Sequence, residues 1–404
     1  MLVNEATWNF IRRHAQDDVR RLALQGSKHP EVDMPMALQQ IAGRQTARRK
    51  LPVWAATEGI IYPPHLNMEQ CSSEQTARYK AQIAGRGKRM ADLTGGFGVD
   101  FYWMSQGFEE RCYVEQDEAL CAIAEANMAT LHLPCSVSCC TATDFLSEMP
   151  HASLIYLDPA RRNEYGARTY GIEDCTPNVL QLLPLLMQKA DCVMLKLSPM
   201  LDWHQAVVAL KYVTEVHIVS VGNECKELIL LLSHQQTDRL RVVCVNGTQV
   251  FEFFSQPGKN NSLAREQIYR SQETIATADE STFLYEPNAS IMKAGCFDLL
   301  EEQFPCRQVA PNSHLFLSAG EIIDFPGRGF RILAVSSANK QELRKKFSES
   351  LAPLKSANIT VRNFPMTADE LRKKLKLKDG GDVYIFATTL QNGIRQLLIC
   401  RKIS

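Results

Sequence analysis

The spacing of apolar residues along the chain changes near residue 90, from a helical rhythm to an alternation of strands and helices. Before that point, stretches 7–24 and 34–50 repeat apolar residues at i, i+3 and i+4, which predicts amphipathic helices. A further helix is predicted over 72–84, with Ser72 or Ser73 as its N-cap. Residues 1–89 are therefore expected to form a helical region.

From residue 90 onward, short apolar runs alternate with helical stretches such as 118–131 and 178–190. Strands are predicted at 89–94, 111–116, 135–140, 153–159, 192–199, 215–221 and 227–233. The last two are joined by only five residues, so they should form an antiparallel hairpin. Five βα units followed by a hairpin predict a mainly parallel, doubly wound α/β sheet of the Rossmann-like kind, with seven strands.

The remainder of the chain contains further strand and helix signals. A hairpin is predicted over 241–254 with its turn at Asn246-Gly247, and a polar linker over 255–262. The stretch 331–404 is typical of an α+β module, with helices at 340–347 and 368–377 and a hairpin at Asn392-Gly393. Four domains are therefore predicted: a helical region over 1–89, the sheet domain over 90–256, a small α/β module over 263–330, and the α+β module over 331–404.

Composition excludes several classes of protein. The 404 residues are 45% hydrophobic and 22% charged, with no apolar run of about 18 residues and no signal-peptide pattern at the start. A globular cytoplasmic protein without membrane spans is expected. Thirteen cysteines occur, but none in a Cys-x-x-Cys pair, and Cys135, Cys139 and Cys140 have no histidine pair beside them at zinc-site spacing. No metal site is predicted.

The net charge of zero hides an uneven distribution along the chain. Residues 1–90 contain 14 Lys and Arg against 8 Asp and Glu, and residues 341–404 contain 13 against 6. The middle of the chain is correspondingly acidic. Two basic ends around an acidic centre favour contact with a polyanion such as RNA.

The most informative motif is "ADLTGGFGVD" at residues 91–100. It lacks the Gly-Lys-Ser/Thr of a phosphate-binding P-loop and does not fit the G-x-G-x-x-G dinucleotide fingerprint. The loop instead reads D-x-T-x-G-x-G from Asp92 through Thr94, Gly95 and Gly96 to Gly98, with Asp100 following. An acid at a strand end repels a pyrophosphate but suits the cationic amino-acid part of S-adenosylmethionine.

Further acids follow the next strands. Glu115 lies 23 residues after Asp92, where a doubly wound fold places the carboxylate that accepts ribose hydroxyls. Asp144 and Phe145 follow the third predicted strand and are expected beside the adenine ring. Asp158 and Pro159 end the fourth, where the reacting groups should converge. Acids at the ends of four successive strands predict a site for S-adenosylmethionine.

These motifs, "ADLTGGFGVD", "YVEQD", "TDF" and "YLDPARR", resemble those of class I S-adenosylmethionine-dependent methyltransferases, and among them RNA methyltransferases most closely. The whole chain resembles the bacterial methyltransferases that carry a THUMP-like domain. The resemblance is specific over roughly 90–235 and looser at the two ends. It implies a class I methyltransferase core, S-adenosylmethionine as cofactor, and a C-terminal THUMP-like or ferredoxin-like module that binds structured ribosomal or transfer RNA.

The residues after the fourth strand leave the methyl acceptor open. Enzymes that methylate a base nitrogen commonly carry Asp/Asn-Pro-Pro-Tyr/Phe at this point, and the aromatic ring stacks on a flipped base. Here Asp158-Pro159 is kept, but the second proline and the ring are replaced by Ala160 and Arg161. Tyr165 or Tyr170 could supply the missing ring. Alternatively, Arg161 and Arg162 could bind a substrate phosphate bidentately.

A second arrangement points to a ribose acceptor. The order Lys80, Asp158, Lys196, Glu227 is similar to the Lys-Asp-Lys-Glu set of ribose 2′-O-methyltransferases. A ribose hydroxyl is a weak nucleophile, so a lysine beside Asp158 with a lowered pKa could help to remove its proton.

Three function classes follow from these residues. The first is an enzyme that methylates RNA, at a ribose 2′-oxygen or a base amino group. The second is an RNA-binding protein whose methyltransferase core is inactive, and the third is a methyltransferase acting on a protein or small molecule.

Overall fold

The structure is a computed structural model that describes residues 3–24, 29–160, 171–235, 239–255, 282–339, 341–342, 345 and 354–403. Its contacts divide the chain into two compact units. The first comprises Met1–His217, Glu227–Arg241 and Ser255–Pro257, and the second comprises Ile218–Lys226, Val242–Phe254 and Gly258–Ser404. Among the described residues, no helix is long and apolar enough to cross a bilayer.

Among the described residues, six helices precede the first strand, whereas the apolar spacing predicts three in this region. They are α1 (Glu5–Arg13), α2 (Val19–Ala23), α3 (Met34–Lys50), α4 (Pro52–Ala56), α5 (His65–Gln70) and α6 (Glu74–Ala84). The stretch 7–24, interpreted as one helix, is two, because the side chain of Asp18 accepts hydrogen bonds from backbone N–H groups and begins α2 anew. The N-cap of α6 is Ser73.

The doubly wound part follows the predicted alternation. Its strands are β1 (Gly87–Asp92), β2 (Phe108–Glu115), β3 (Ser136–Cys139), β4 (Ala152–Leu157), β5 (Ala190–Leu197), β6 (Val213–Val221) and β7 (Glu224–Ser233). The intervening helices are α7 (Val99–Ser105), α8 (Glu118–Thr130), α9 (Ala142–Glu148), α10 (Val179–Lys189) and α11 (Trp203–Leu210).

In the larger sheet these seven strands lie in the order β3-β2-β1-β4-β5-β7-β6. The printed pairings from β3 to β5 are parallel, whereas β7 runs antiparallel to β5. The predicted Rossmann-like architecture is therefore confirmed. Because parallel strands share a carboxyl edge, the residues that end β1, β2 and β4 meet at one edge of the sheet.

A hydrophobic cluster joins the N-terminal helices to this sheet. Trp54 of α4 and Tyr62 pack with Phe97 of the glycine loop and Tyr113 of β2. The ring centroids of Trp54 and Phe97 are 4.9 Å apart in an edge-on arrangement. The N-terminal helical region thus packs against Phe97, the side chain at the centre of the glycine loop.

The second unit contains a sheet of its own. Before that sheet begins, β8 (Leu240–Asn246) and β9 (Gln249–Ser255) form the hairpin predicted at Asn246-Gly247 and follow β6 in the larger sheet, which has nine strands in all. The further strands are β10 (Phe283–Pro287), β11 (Arg307–Gln308), β12 (Phe316–Ser318), β13 (Gly327–Ser336), β14 (Asn358–Arg362), β15 (Val383–Thr389) and β16 (Arg395–Lys402). The helices among its described residues are α12 (Ala289–Ala294), α13 (Phe297–Gln303) and α14 (Ala368–Leu375).

The seven strands β10–β16 form a sheet in the order β11-β12-β10-β13-β16-β15-β14. Its two faces carry separate apolar clusters, one including Leu371 and Leu375 of α14 and the other including Phe330 and Phe386. The capping box of Thr367 and Glu370 is present. Most of the helix predicted over 340–347 and the linker from residue 256 lie outside the described residues.

Candidate active site

The glycine loop connects β1 to α7 and is shaped by contacts that only small residues allow. A Cβ atom at Gly95 would lie 2.2 Å from the ring of Tyr113. Gly96 and Gly98 have φ values of 54° and 83°, a region that favours glycine. Tyr113 donates a hydrogen bond from its hydroxyl to the carbonyl oxygen of Gly96 at 2.6 Å. The backbone is thereby fixed in a conformation that a ligand can approach closely.

Asp92 ends β1 and is 1% exposed. Its Oδ1 accepts one hydrogen bond, from the backbone N–H of Thr94 at 3.0 Å. Burial raises the pKa of Asp92 well above its usual range; the Thr94 hydrogen bond opposes this rise, and the carboxylates of Asp100, Asp158 and Glu115 add to it. A buried carboxylate with one donor and three acidic neighbours favours a cationic ligand, as the sulfonium and ammonium groups of S-adenosylmethionine are.

Glu115 ends β2 and faces the same loop. Its Oε2 accepts from the backbone N–H of Gly96 at 2.9 Å, and its Oε1 accepts from those of Gln116 and Asp117 at 2.8 and 3.1 Å. A carboxylate offers about four acceptor positions, so these three bonds orient the group and leave capacity for a ribose hydroxyl. The residues present therefore fit S-adenosylmethionine.

Asp144 follows β3, as predicted, but it lies in a helix rather than at the strand end itself. The third strand ends at Cys139, and Asp144 stands in the first turn of α9 rather than at a strand end. Thr141 is the N-cap of α9 and donates its hydroxyl hydrogen to Asp144 Oδ2 at 2.8 Å. Phe145 follows and is half-buried. The cap at Thr141 sets the position of Asp144, and the pattern of apolar residues did not indicate this helix.

Asp158 follows β4, and Pro159 is buried beside it. The backbone N–H of Asp158 donates to Thr94 Oγ1 at 2.6 Å, which ties the end of β4 to the glycine loop. The carboxylate of Asp158 pairs with the ammonium group of Lys196 of β5. Arg161, Arg162, Tyr165 and Tyr170 lie outside the described residues.

A second ion pair lies deeper. Lys80 of α6 is fully buried and pairs with Glu227 of β7, which is 2% exposed. Lys80 Nζ also forms an ion pair with Asp100, 3.1 Å from its Oδ1, but the geometry of this contact is not that of a hydrogen bond. Ser72 accepts a hydrogen bond from Lys80 Nζ at 2.9 Å.

Asp100 connects the two ion pairs. Its Oδ2 accepts hydrogen bonds from Ser72 and Tyr156, both at 2.8 Å. Burial by itself would raise the pKa of Asp100, but Lys80, Lys196 and the two hydroxyl donors lower it. The structure thus brings together a set that we name the lysine–carboxylate cluster: Lys80, Asp100, Asp158, Lys196 and Glu227.

The charge state of Lys196 is the reverse of the one inferred from the sequence. Burial lowers the pKa of Lys196, but the carboxylates of Asp158, Asp100 and Glu227 together raise it above the usual lysine value. A lysine with a lowered pKa was expected beside Asp158, and that expectation is wrong. Lys196 therefore carries its proton and can donate a hydrogen bond, but it is not a base.

Two members of the site escaped the sequence interpretation. Ser72 was considered only as a helix cap, yet it bridges Lys80 and Asp100. Tyr156 lies inside an apolar strand and gave no signal as a hydrogen-bond donor. Among the described residues, no group of three or more His, Cys, Asp or Glu side chains could hold a metal ion.

The chain is similar to two described domain families and to solved structures. Residues 283–326 match the family described as a ferredoxin-like domain, and residues 327–402 match the family described as THUMP domain-like. The comparison with curated proteins gives no match. Over nearly its whole length the chain is similar to a solved structure described as a "putative methyltransferase" from Porphyromonas gingivalis W83. The identity is 29%, the coverage 99% of this chain and 98% of that one, and the TM-score 0.83.

Two further solved structures match part of the chain. One is TrmK from M. capricolum in complex with S-adenosylhomocysteine, at 10% identity and a TM-score of 0.32, covering 40% of this chain and 68% of that one. The other is an rRNA methylase from Streptococcus thermophilus, at 9% identity and a TM-score of 0.31, covering 40% and 95%.

The resemblance to methyltransferases with a THUMP-like domain is confirmed for the fold and for the C-terminal domains. The protein has a class I methyltransferase fold, followed by a ferredoxin-like and a THUMP-like domain. The roles of the individual site residues and the four domain boundaries stay predictions.

Asp92 gives a direct test of the cofactor site. An acid whose folded-state pKa is raised binds its proton more tightly when folded, so ionisation costs stability as pH rises above the unfolded value of about 3.9. We expect Asp92→Asn to be more stable than the wild type at neutral pH, with the advantage vanishing below about pH 4. The same variant should bind S-adenosylmethionine about ten-fold or more weakly, because a charged acceptor is lost.

Thermal unfolding at several pH values and calorimetric titration measure the two effects. The matched control is Asp191→Asn, since the side chain of Asp191 is 72% exposed. Undiminished cofactor affinity in Asp92→Asn would remove Asp92 from the site.

Proposed function

We propose that this protein transfers the methyl group of S-adenosylmethionine to a ribose 2′-hydroxyl of RNA. The observation that carries the proposal is the lysine–carboxylate cluster. Its members Lys80, Asp158, Lys196 and Glu227 come from four separate parts of the chain and form two ion pairs. The carboxylate of Asp100 interacts electrostatically with the lysine of each pair. Such a set suits an acceptor that must be held and deprotonated at one point.

The cofactor supplies an electrophilic methyl group bonded to a positively charged sulfur. The side chains of the protein would hold and orient this cofactor. The carboxylate of Asp92 would attract its positively charged groups, and Glu115 would orient its ribose. The ammonium group of Lys196 donates a hydrogen bond to the attacking 2′-oxygen and stabilises its developing negative charge. The carboxylate of Asp158, 37% exposed, accepts the hydroxyl proton as the new C–O bond forms and the C–S bond breaks.

RNA as the acceptor is supported by two independent features. The THUMP-like match covers the stretch where the sequence is most basic, and the first 90 residues are basic as well. RNA affinity that falls steeply with salt is therefore expected. A cytoplasmic location is consistent with such a substrate and stays a prediction.

The test is incubation of the protein with labelled S-adenosylmethionine and total RNA from a strain that lacks the gene, followed by nucleoside analysis. We expect label in a 2′-O-methylated nucleoside. Label in a methylated base would contradict the ribose assignment and favour the amino-group alternative. Binding of RNA without any transfer would favour an inactive core, and label only in protein or small molecules would exclude RNA as the substrate.

A further inference from the structure

Two cysteine side chains lie beside the strand end that carries Glu115. Cys139 ends β3 and is the register partner of Glu115 on the adjacent parallel strand, so their backbones lie about 4.8 Å apart. Cys121 belongs to α8, the helix that follows β2. Its Sγ donates a hydrogen bond to the carbonyl oxygen of Glu115 at 3.3 Å. The end of β2 is therefore contacted by one cysteine from the neighbouring strand and by another from the following helix.

The two thiols are also in contact with each other. Both are free thiols, and they lie close enough together to form a hydrogen bond. The Sγ of Cys139 donates in addition to the carbonyl oxygen of Gln116 at 3.9 Å. Because Cys121 and Cys139 are held by two adjacent peptide units, a short movement of their side chains brings the sulfur atoms to bonding distance.

The two thiols differ in their access to solvent. Cys139 is exposed, whereas Cys121 is 6% exposed. Burial, together with the contact to Cys139 and the carboxylates of Glu115 and Asp117, raises the pKa of Cys121 to about 12. Since the thiolate is the nucleophile, Cys139 is the thiol that an oxidant in solution reaches and Cys121 is the one that reacts second.

We propose that Cys121 and Cys139 form a site of reversible oxidation, at which a peroxide converts the two thiols into a disulfide that weakens the binding of S-adenosylmethionine. The Sγ of Cys139 attacks hydrogen peroxide, the O–O bond breaks, and a sulfenic acid and one water molecule form. The Sγ of Cys121 then displaces a second water molecule from the sulfenic acid as the S–S bond forms. The thiols lose two hydrogens and two electrons, and the peroxide is reduced to two water molecules.

The effect on the cofactor follows from the turn that both thiols contact. The backbone N–H groups of Gln116 and Asp117 donate to Glu115 Oε1, and the thiols donate to the carbonyl oxygens of Glu115 and Gln116. A disulfide has no S–H group, so both thiol hydrogen bonds are lost and β3 becomes joined to α8 across this turn. The carboxylate of Glu115 then loses its fixed orientation. The inference rests on the proposed role of Glu115 towards the cofactor ribose, but not on the identity of the methyl acceptor.

The test treats the purified full-length protein with hydrogen peroxide, blocks the remaining thiols with N-ethylmaleimide and maps disulfides by mass spectrometry of its peptides. Calorimetric titration with S-adenosylmethionine is then carried out on the reduced, the oxidised and the re-reduced protein. We expect a linkage between Cys121 and Cys139, an affinity about ten-fold lower in the oxidised protein, and recovery after dithiothreitol. Absence of this linkage, or a linkage that leaves the affinity unchanged, overturns the proposal.

Three serine variants locate the response to peroxide. Cys139→Ser and Cys121→Ser each keep a hydrogen-bond donor, so the reduced variants should bind S-adenosylmethionine within about two-fold of the wild type and lose no affinity in peroxide. The matched control is Cys140→Ser, because Cys140 follows Cys139 directly and is half-buried. This control should respond to peroxide as the wild type does. A response that persists in Cys139→Ser, or is absent from Cys140→Ser, contradicts the assignment of the pair.

The results for this site and for the proposed function can be told apart. A protein that transfers no methyl group to RNA, but whose affinity for S-adenosylmethionine falls in peroxide and recovers in dithiothreitol, supports the cysteine pair and contradicts only the proposed function. Methylation of RNA at a ribose, by a protein whose cofactor affinity is the same before and after peroxide, contradicts only the cysteine pair.

Discussion

Lys196→Met should reduce methyl transfer by about three orders of magnitude while leaving S-adenosylmethionine affinity within about two-fold of the wild type. The ammonium group lies against Asp158 at the end of β5 and is positioned to stabilise charge that develops only as the methyl group is transferred. Interactions made only in the transition state affect turnover rather than binding. Single-turnover transfer and calorimetric titration measure the two quantities.

The control for this variant is Lys226→Met. Lys226 precedes Glu227 on β7, is 42% exposed at its side chain and pairs with Glu224 rather than with the lysine–carboxylate cluster. Near-normal turnover in Lys196→Met would refute the assignment of Lys196. Equal losses in both variants would show that the loss reflects general positive charge, not the ammonium group beside Asp158.

The pH dependence of transfer distinguishes the role given to Lys196 from that of a general base. Because surrounding carboxylates raise the pKa of Lys196 above the usual lysine value, the group keeps its proton at neutral and mildly alkaline pH. A rate that is flat from about pH 7 to 9 is therefore expected. A transfer rate that increases with pH over this range in the wild type, but not in Lys196→Met, would show that Lys196 is the proton acceptor.

Lys80→Met should lower the free energy of unfolding of the first unit by about 3–5 kcal/mol. Lys80 is the cation that both Glu227 and Asp100 contact. The substitution therefore leaves two buried carboxylates close together without that compensating charge. All four tryptophans, Trp8, Trp54, Trp103 and Trp203, belong to the first unit, so urea unfolding followed by tryptophan fluorescence reports on that unit.

Two further variants make this expectation specific. Adding Glu227→Gln to Lys80→Met should recover part of the loss, because it removes one of the two uncompensated charges. Lys88→Met, at an exposed position of β1, should change stability by less than about 0.5 kcal/mol. A Lys80→Met protein as stable as this control would mean that the buried ion pair contributes nothing to the fold.

The sequence predicted that Asp92 and Glu115 lie at strand ends because their position depends on local order. Asp92 and Glu115 end apolar strands, and the carboxyl ends of parallel strands share one edge of a sheet whatever the details of packing. Asp144 follows β3 as predicted, but it stands in the first turn of α9, because β3 is shorter than its apolar run and Thr141 caps a helix immediately after it.

The lysine–carboxylate cluster was accessible only through a family resemblance. Lys80 and Glu227 are separated by 147 residues, and nothing in the local pattern of either predicts their contact. The pKa of Lys196 depends on three carboxylates from three different elements, so no reading of the strand that carries it could give the direction of the shift.

The packing of Trp54 against Phe97 makes the N-terminal helices part of the same packed unit as the glycine loop rather than a detachable arm. A protein shortened to begin at β1 would leave Phe97 facing water and would lose Lys80 in the same cut. Such a fragment is expected neither to hold its glycine loop in shape nor to bind cofactor. For protein engineering, the smallest transferable methyltransferase module of this chain therefore begins with its helices.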